Sequence, residues 1–346
     1  MKIALVTSTA PFIFGGARNI VSWLELALKE AGHETEVVAL PFVEEPSRMI
    51  AQMAAFRMID LTEQADMVVC FRPPSYLVQH PRKVLWFIHH MRPYYDLWDT
   101  EYRGFADTAI SRARRDLIRR VDDRAFREAA MIFTNSNVVS DRLRQFNGLE
   151  SEVLYPPVQD AELFVNSEYG DEIVAVSRLE HHKRQHLLVD ALALTSTPVR
   201  LHLVGKGSTP DYGLYLRGRR DELGLQDRLR VDDVWVQDHH KREIIGSALA
   251  SAYIPLDEDS YGYPTLESAH ARKGVLTTAD SGGVLEFVVD GQSGLVVEPS
   301  PQALAGAMDR LYMDRALAGQ LGRGAAERVR DLKISWEHVV DRITSA

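Results

Sequence analysis

Asp259-Ser260-Tyr261-Gly262-Tyr263-Pro264-Thr265-Leu266-Glu267 is the stretch on which the reading of this chain turns. An acidic residue, a turn rich in glycine and proline, and a second acid eight positions on suit a strand end that bends into a helix. The start of such a helix offers free backbone N–H groups, which favour phosphate. The two carboxylates are left to accept hydrogen bonds from hydroxyl groups, as a sugar and a ribose would supply. After a short helix and strand comes Ser281-Gly282-Gly283-Val284-Leu285-Glu286, a second turn of small residues.

The surroundings add to this. Upstream, an apolar run leads into Ser177-Arg178-Leu179-Glu180-His181-His182-Lys183, which sets an arginine and a lysine five apart. Downstream, the second glycine turn continues into Asp290-Gly291-Gln292-Ser293-Gly294. Taken together, residues from about Ile173 to Leu304 resemble the donor site of retaining glycosyltransferases of family 4. That family's pattern is E-x7-E, preceded by R-L-x-x-x-K and followed by G-G-x-x-E and D-G-x-x-G. Asp259 departs from it, because the family usually has glutamate there; its side chain is one methylene shorter, and Glu258 stands beside it as a substitute.

The resemblance implies roles. Cleaving the bond between an anomeric carbon and a diphosphate leaves negative charge on the leaving group, which fixed positive charge must meet. Arg178 and Lys183 fit that need, although either alone reads plainly as a surface charge. Asp259 would bind a hydroxyl of the donor sugar. Glu267 would accept from the ribose hydroxyls; its plainer reading is a glutamate near a helix start, favoured by the dipole. The main chain of Tyr261, Gly262 and Thr265 would donate to sugar and phosphate. Gly282, Gly283 and Val284 would form another loop close to the ligand, with Glu286 closing a structural contact. The expected donor is a nucleotide diphosphate sugar acting as co-substrate, with no other cofactor and no metal. The acceptor hydroxyl would attack on the face the diphosphate leaves, a departing phosphate oxygen taking its proton.

Bulk properties agree with two domains. The chain has 346 residues, more than one core usually supports. The net charge of −9 argues against nucleic acid as the general partner. No apolar stretch approaches the roughly 20 residues of a membrane span, and Met1-Lys2-Ile3-Ala4-Leu5-Val6 runs directly toward a glycine loop, so a cytoplasmic protein is expected. Cys70 is the single cysteine and follows Met67-Val68-Val69, which reads as a buried strand.

In chain order, Lys2 to Thr7 reads as a strand, and the glycine pair Gly15-Gly16 opens a helix from about Ala17 to Ala31 that puts Ile20, Trp23, Leu24, Ala27 and Leu28 on one face. Gly32 ends it, and Val37 to Leu40 is the next strand. This opens a parallel, doubly wound sheet. The dinucleotide fingerprint G-x-G-x-x-G is absent; the resemblance instead brings Gly15 and Gly16 near the donor's diphosphate. Ala65 to Phe71 and Val84 to Ile88 read as further strands, the latter ending in His89 and His90. A histidine there is more often structural, but the family commonly has one near the donor sugar, and His89 is the choice over His90.

Residues 103–127 are rich in arginine, with Ile110, Ala113, Leu117, Val121 and Ala125 at helical spacing. The plain reading is an amphipathic helix with a solvated basic face; the sharper one is a face for an anionic acceptor or peripheral membrane contact. Ala130 to Asn135 reads as a strand, and a helix begins near Ser136. Tyr155-Pro156-Pro157 interrupts regular structure, and strand and helix alternation restarts at Ile173. The expected class is therefore α/β and, by the resemblance, GT-B: two Rossmann-like domains facing a central cleft. The expected divisions are an acceptor-binding domain over 1–165, a donor-binding domain over 166–325, and a helix over 326–346 that returns to the first domain with Trp336 as anchor. The acceptor would be a glycan, a lipid-linked molecule or a small molecule. The alternatives are a non-catalytic nucleotide-sugar-binding subunit, for which Asp259 is the best support, and a nucleotide-sugar epimerase on the same architecture.

Overall fold

Runs such as Met67-Val68-Val69-Cys70, with no polar residue on either side of the pleat, must be covered on both faces, and this is the condition of a parallel sheet between helices. The computed structural model describes residues 1–10 and 16–346, apart from the side chain of 101. The chain divides into two units, Met1–Pro157 with Ile334–Ala346, and Val158–Lys333. The changeover falls directly after the Tyr155-Pro156-Pro157 turn rather than at 165, and the second unit runs on to Lys333 rather than 325.

In the first unit, β1 (Lys2–Thr9), β2 (Glu34–Pro41), β3 (Met67–Cys70), β4 (Lys83–Phe87), β5 (Met131–Thr134) and β6 (Glu152–Val153) form a parallel sheet in the order β2-β1-β3-β4-β5-β6. Cys70 is fully buried, and burial pushes its thiol up to about 12. One face is covered by α1 (Gly16–Glu30), through Ile20, Leu24 and Leu28, and by the last helix of the chain (Trp336–Thr344), through Val339 and Ile343. Trp336 meets Trp86 edge-on at 6.4 Å, and Arg342 grips Glu152 at 2.8 and 2.7 Å. The C-terminal helix thus packs on the first unit.

The other face carries α2 (Met49–Arg57), α3 (Ala109–Arg127) and α4 (Asn137–Asn147). Here the helical stripe differs from the expected one. Ile110 is 72% exposed, and the buried residues of α3 are Ser111, Ile118, Asp122, Ala125 and Phe126. Two sets of hydrogen bonds hold the polar positions inward: Ser111 closes a capping box with Thr108, and Asp122 accepts from the hydroxyls of Tyr76 at 2.9 Å and Tyr95 at 2.7 Å. The arginines are not all in water either. Arg115 lies over Trp98 at 4.4 Å and Arg119 over Tyr95 at 5.1 Å.

In the second unit, β7 (Glu172–Val176), β8 (Arg200–Val204), β9 (Leu229–Asp232), β10 (Ala250–Ala252), β11 (Val275–Thr278) and β12 (Gly294–Val297) are all parallel, in the order β12-β11-β10-β7-β8-β9. Between them run α5 (Gln185–Leu194), α6 (Asp211–Glu222), α7 (Asp238–Ser247) and α8 (Tyr263–His270), and after β12 come α9 (Pro301–Met313) and α10 (Arg315–Asp331). Leu188, Leu192, Leu201, Leu203, Leu304 and Met308 share one core.

Strand order reverses between β1 and β3 in the first sheet and between β7 and β10 in the second. In open α/β sheets, the crevice outside the carboxyl ends of the strands at such a reversal is where ligands bind.

Candidate functional site

The second reversal gathers most of the predicted residues. Beyond β7 the chain passes Arg178, makes a tight turn over His181–Lys183, and enters a left-handed conformation at Arg184, φ 54°. That conformation is held by side-chain bonds: the Arg184 guanidinium takes both oxygens of Asp280 at 2.7 Å, the carbonyls of Ile254 and Pro255 at 3.0 and 2.9 Å, and Thr278 Oγ1 at 2.8 Å. One side chain so ties together the loops that follow β7, β10 and β11. The turn swings Lys183 inward to 8% exposure.

There the Lys183 ammonium donates to Tyr253 Oη at 2.9 Å and to the Glu258 carboxylate, and the Tyr253 hydroxyl lies 3.1 Å from that carboxylate. An ammonium has no lone pair, so the phenol accepts from Lys183 and donates to Glu258. Burial works to raise the Glu258 carboxyl, but the charge of Lys183 and the hydrogen bonds from Lys183 and Tyr253 outweigh it and hold the group below the usual carboxylate range. Burial, then the charge of Glu258, pushes the Tyr253 phenol far up. Arg178 is exposed, and its charge acts on Tyr253 and on His182. Both predicted cations therefore follow the end of β7, Lys183 bonded to the Tyr253 phenol and Arg178 acting on it through its charge. The acid that meets Lys183 is Glu258; Asp259, next in sequence, is half-buried.

The glycines of the two turns pack against protein backbone and ring. At Gly262, φ +71°, a Cβ would lie 2.4 Å from Tyr253 Cε1. At Gly282, φ +60°, it would lie 2.6 Å from the Glu258 carbonyl oxygen, and at Gly283 2.6 Å from Ser260 Cα. The Gly283 N–H donates to the Glu258 carbonyl at 2.8 Å, so this pair laces the two loops together. The N–H of Thr265, expected to face a ligand, donates to the Gly262 carbonyl at 3.1 Å because Gly262 opens the first turn of α8. Thr265, Tyr261 and Val284 are buried.

Glu267 is 5% exposed and accepts from Lys241 Nζ at 2.6 Å. Burial works to lower the Lys241 ammonium, but Glu267 outweighs it, so the group sits above its ordinary value. Lys241, Arg184 and Tyr253 belong to no motif of the sequence reading. In sequence Lys241 is one more charge on a polar helix and Tyr253 one more apolar strand residue; their partners lie far along the chain.

In the first unit, the two histidines after β4 separate. His90 is 2% exposed, bonded to Asn147 Oδ1 at 2.8 Å and packed 4.3 Å from the Tyr95 ring; burial lowers it to about 4. His89 is half-buried, with Nδ1 2.7 Å from the His90 carbonyl oxygen, to which it donates. Gly16 starts α1, whereas Gly15 lies outside the described residues. At this unit's own reversal a hollow of about 240 Å³ is lined by Thr7, Ser8, Thr9, Ala17, Arg18 and Arg72, among others. Among the described residues, no group of three or more His, Cys, Asp or Glu side chains could hold a metal ion, and no helix is long and apolar enough to cross a membrane.

Two all-parallel Rossmann-like domains, with a helix from the chain's end packed on the first, are a GT-B fold. The fold of Anabaena Alr3699/HepE in complex with UDP matches it over 100% of both chains, with a TM-score of 0.73 and 17% identity. The family comes from the second domain: residues 162–328 match the model of Glycosyl transferases group 1, and the chain carries a domain of that family. Two relatives are similar along much of their length. Alpha-maltose-1-phosphate synthase of Mycolicibacterium smegmatis is 25% identical over 394 aligned residues, covering 99% of this chain and 97% of its own. Alpha-1,3/1,6-mannosyltransferase ALG2 of Homo sapiens is 23% identical over 322, covering 84% and 75%.

Proposed function

We propose that this protein is a retaining, metal-independent glycosyltransferase that moves a hexose-type sugar from a UDP- or GDP-linked donor to a hydroxyl of a glycan, lipid-linked or small-molecule acceptor. The observation that carries this is the grouping of Arg178 and buried Lys183 at the β7/β10 reversal, beside the start of α8. The leaving diphosphate develops charge as the anomeric bond breaks, and fixed cations lower that barrier without reorganising. With two side-chain cations in that place, no metal is required. Glu267, steadied by Lys241, has oxygen lone pairs for ribose hydroxyls, and Glu258 or Asp259 for a sugar hydroxyl. In the first domain, His89 positions the reacting sugar, and the hollow lined by Arg18 and Arg72 is the acceptor's place.

Retention follows if the acceptor attacks on the face the diphosphate leaves. The new bond forms between the acceptor oxygen and the anomeric carbon, the bond to the phosphate oxygen breaks, and that oxygen takes the acceptor's proton. The test is a thermal-shift screen of UDP-, GDP- and ADP-sugars in the presence of a chelator. One class should raise Tm, since a ligand that binds only the native state stabilises it by mass action. NMR of the product made with that donor should show the donor's anomeric configuration. Inverted product, or activity abolished by the chelator, overturns the proposal. Donor binding without turnover against a broad acceptor panel favours a non-catalytic binding subunit instead.

A further inference from the structure

We propose that Tyr253 is a positioning residue: its phenol, bonded at once to the Lys183 ammonium and the Glu258 carboxylate, sets the place from which Lys183 meets the leaving diphosphate. This rests on reading Lys183 as a diphosphate ligand. Three elements converge on the ring. Lys183 comes from the turn after β7 and donates to Oη at 2.9 Å. Glu258 comes from the acidic loop and lies 3.1 Å from Oη. Gly262, which opens α8, approaches so closely that a Cβ there would stand 2.4 Å from the ring. Tyr253 itself is 5% exposed, and its main chain is fixed by the bond from its N–H to Leu276 O at 2.9 Å.

The polarity of the chain is set by chemistry, Lys183 to phenol to Glu258, so the lysine cannot rotate without breaking two bonds. A lysine is otherwise a flexible point charge with about 2 kcal/mol of rotamer entropy. Held this way, Lys183 spends two of its three N–H donors on protein and keeps its charge aimed along one direction. Other charged groups bearing on this triangle are Arg178, His182 and Asp259. No sequence signal marks Tyr253, because its partner Lys183 is 70 positions away.

The experiment is a double-mutant cycle read by calorimetric titration of UDP, or of GDP or ADP if the donor screen selects that base. Wild-type protein that binds none of the three nucleoside diphosphates refutes the donor-site reading, and this inference with it. Given wild-type binding, Tyr253→Phe should weaken it about tenfold, the scale of one hydrogen bond to a charged group. The same change made on top of Lys183→Ala should add nothing, because the phenol acts through the lysine. Glu258→Gln, whose amide oxygen still accepts from the phenol, is a second arm, and its effect should likewise vanish in the Lys183→Ala background. Wild-type affinity in Tyr253→Phe, or losses that add in the double variants, overturns the inference. A role confined to holding the fold would lower Tm and leave the losses additive.

Discussion

The two strand reversals of this molecule are built to opposite plans. At β7/β10, the loops are laced by backbone, by the Arg184 guanidinium and by glycines that admit no Cβ, and charged side chains are buried against one another. At β1/β3, the described residues leave a hollow whose walls are partly apolar, with Val21, Val37 and Ala39, and partly polar, with Thr7, Ser8, Arg18, Glu25 and Arg72. On the proposed reading, this contrast is a division of labour. A constant chemical group such as a diphosphate rewards a rigid, preorganised site, whereas an acceptor calls for a shape that differs from one enzyme to the next.

The contrast breaks most visibly at Lys183. Lys183→Ala should cut kcat/KM by about 10²- to 10³-fold, the usual scale for removing one group that stabilises developing charge. Steady-state rates with the donor chosen by the thermal screen check this, and a loss under about threefold would mean that the laced reversal is not where the diphosphate departs.

Next comes the lacing itself. Gly262→Ala forces a side chain into a positive φ and against the Tyr253 ring, so it should cost about 3 kcal/mol or more. Gly32, at φ +84° with nothing within 4 Å of an added Cβ, is the comparison: Gly32→Ala should cost only roughly 1–2 kcal/mol. Denaturant unfolding of both variants separates close approach from backbone strain.

The first domain has its own sensitive point, away from its hollow. Asp122, fully buried on α3, is raised to about 7 by burial, against the hydrogen bonds from Tyr95 and Tyr76. Its folded value lies above its unfolded one, so the stability it contributes is complete below about pH 4 and is lost as pH rises through about 7. Asp122→Asn keeps the shape of the side chain and an acceptor oxygen for one tyrosine, its amide N–H donating to the hydroxyl of the other, and removes the titration. The Tm of the variant minus that of the wild type should therefore climb by several degrees between pH 4 and 8, and a flat difference would show that Asp122 is ionised throughout.

The smallest expected effect sharpens the contrast from the open side. Arg72→Ala should raise the acceptor KM about tenfold, the worth of one charge-assisted hydrogen bond, and leave nucleoside diphosphate affinity unchanged. Equal losses in both would erase the distinction between the two reversals.

How much of this was legible in the sequence also follows the division. The alternation of apolar runs and helical periods gave both parallel sheets, and Trp336 read correctly as an anchor on the first domain. In the second domain, the glycines and acids sit within short motifs, so the close turns could be seen. What could not be seen were the partners. The motifs do not show that the Cβ positions of Gly282 and Gly283 face Glu258 and Ser260, nor that the Thr265 N–H donates to the Gly262 carbonyl. Tyr253, Arg184 and Lys241 were missed because each acts across a distance in sequence that no local pattern spans. On α3, periodicity counted Ile110 as inward and Asp122 as polar; the tyrosines that bury Asp122 come from other elements.

The most direct test is a crystal structure with a nucleoside diphosphate bound. The account expects the diphosphate oxygens within hydrogen-bonding distance of Lys183 Nζ and the Arg178 guanidinium, outside the ends of β7 and β10. A diphosphate seated instead in the hollow between β1 and β3, with Lys183 still closed on Glu258 and no ligand beside it, would contradict it.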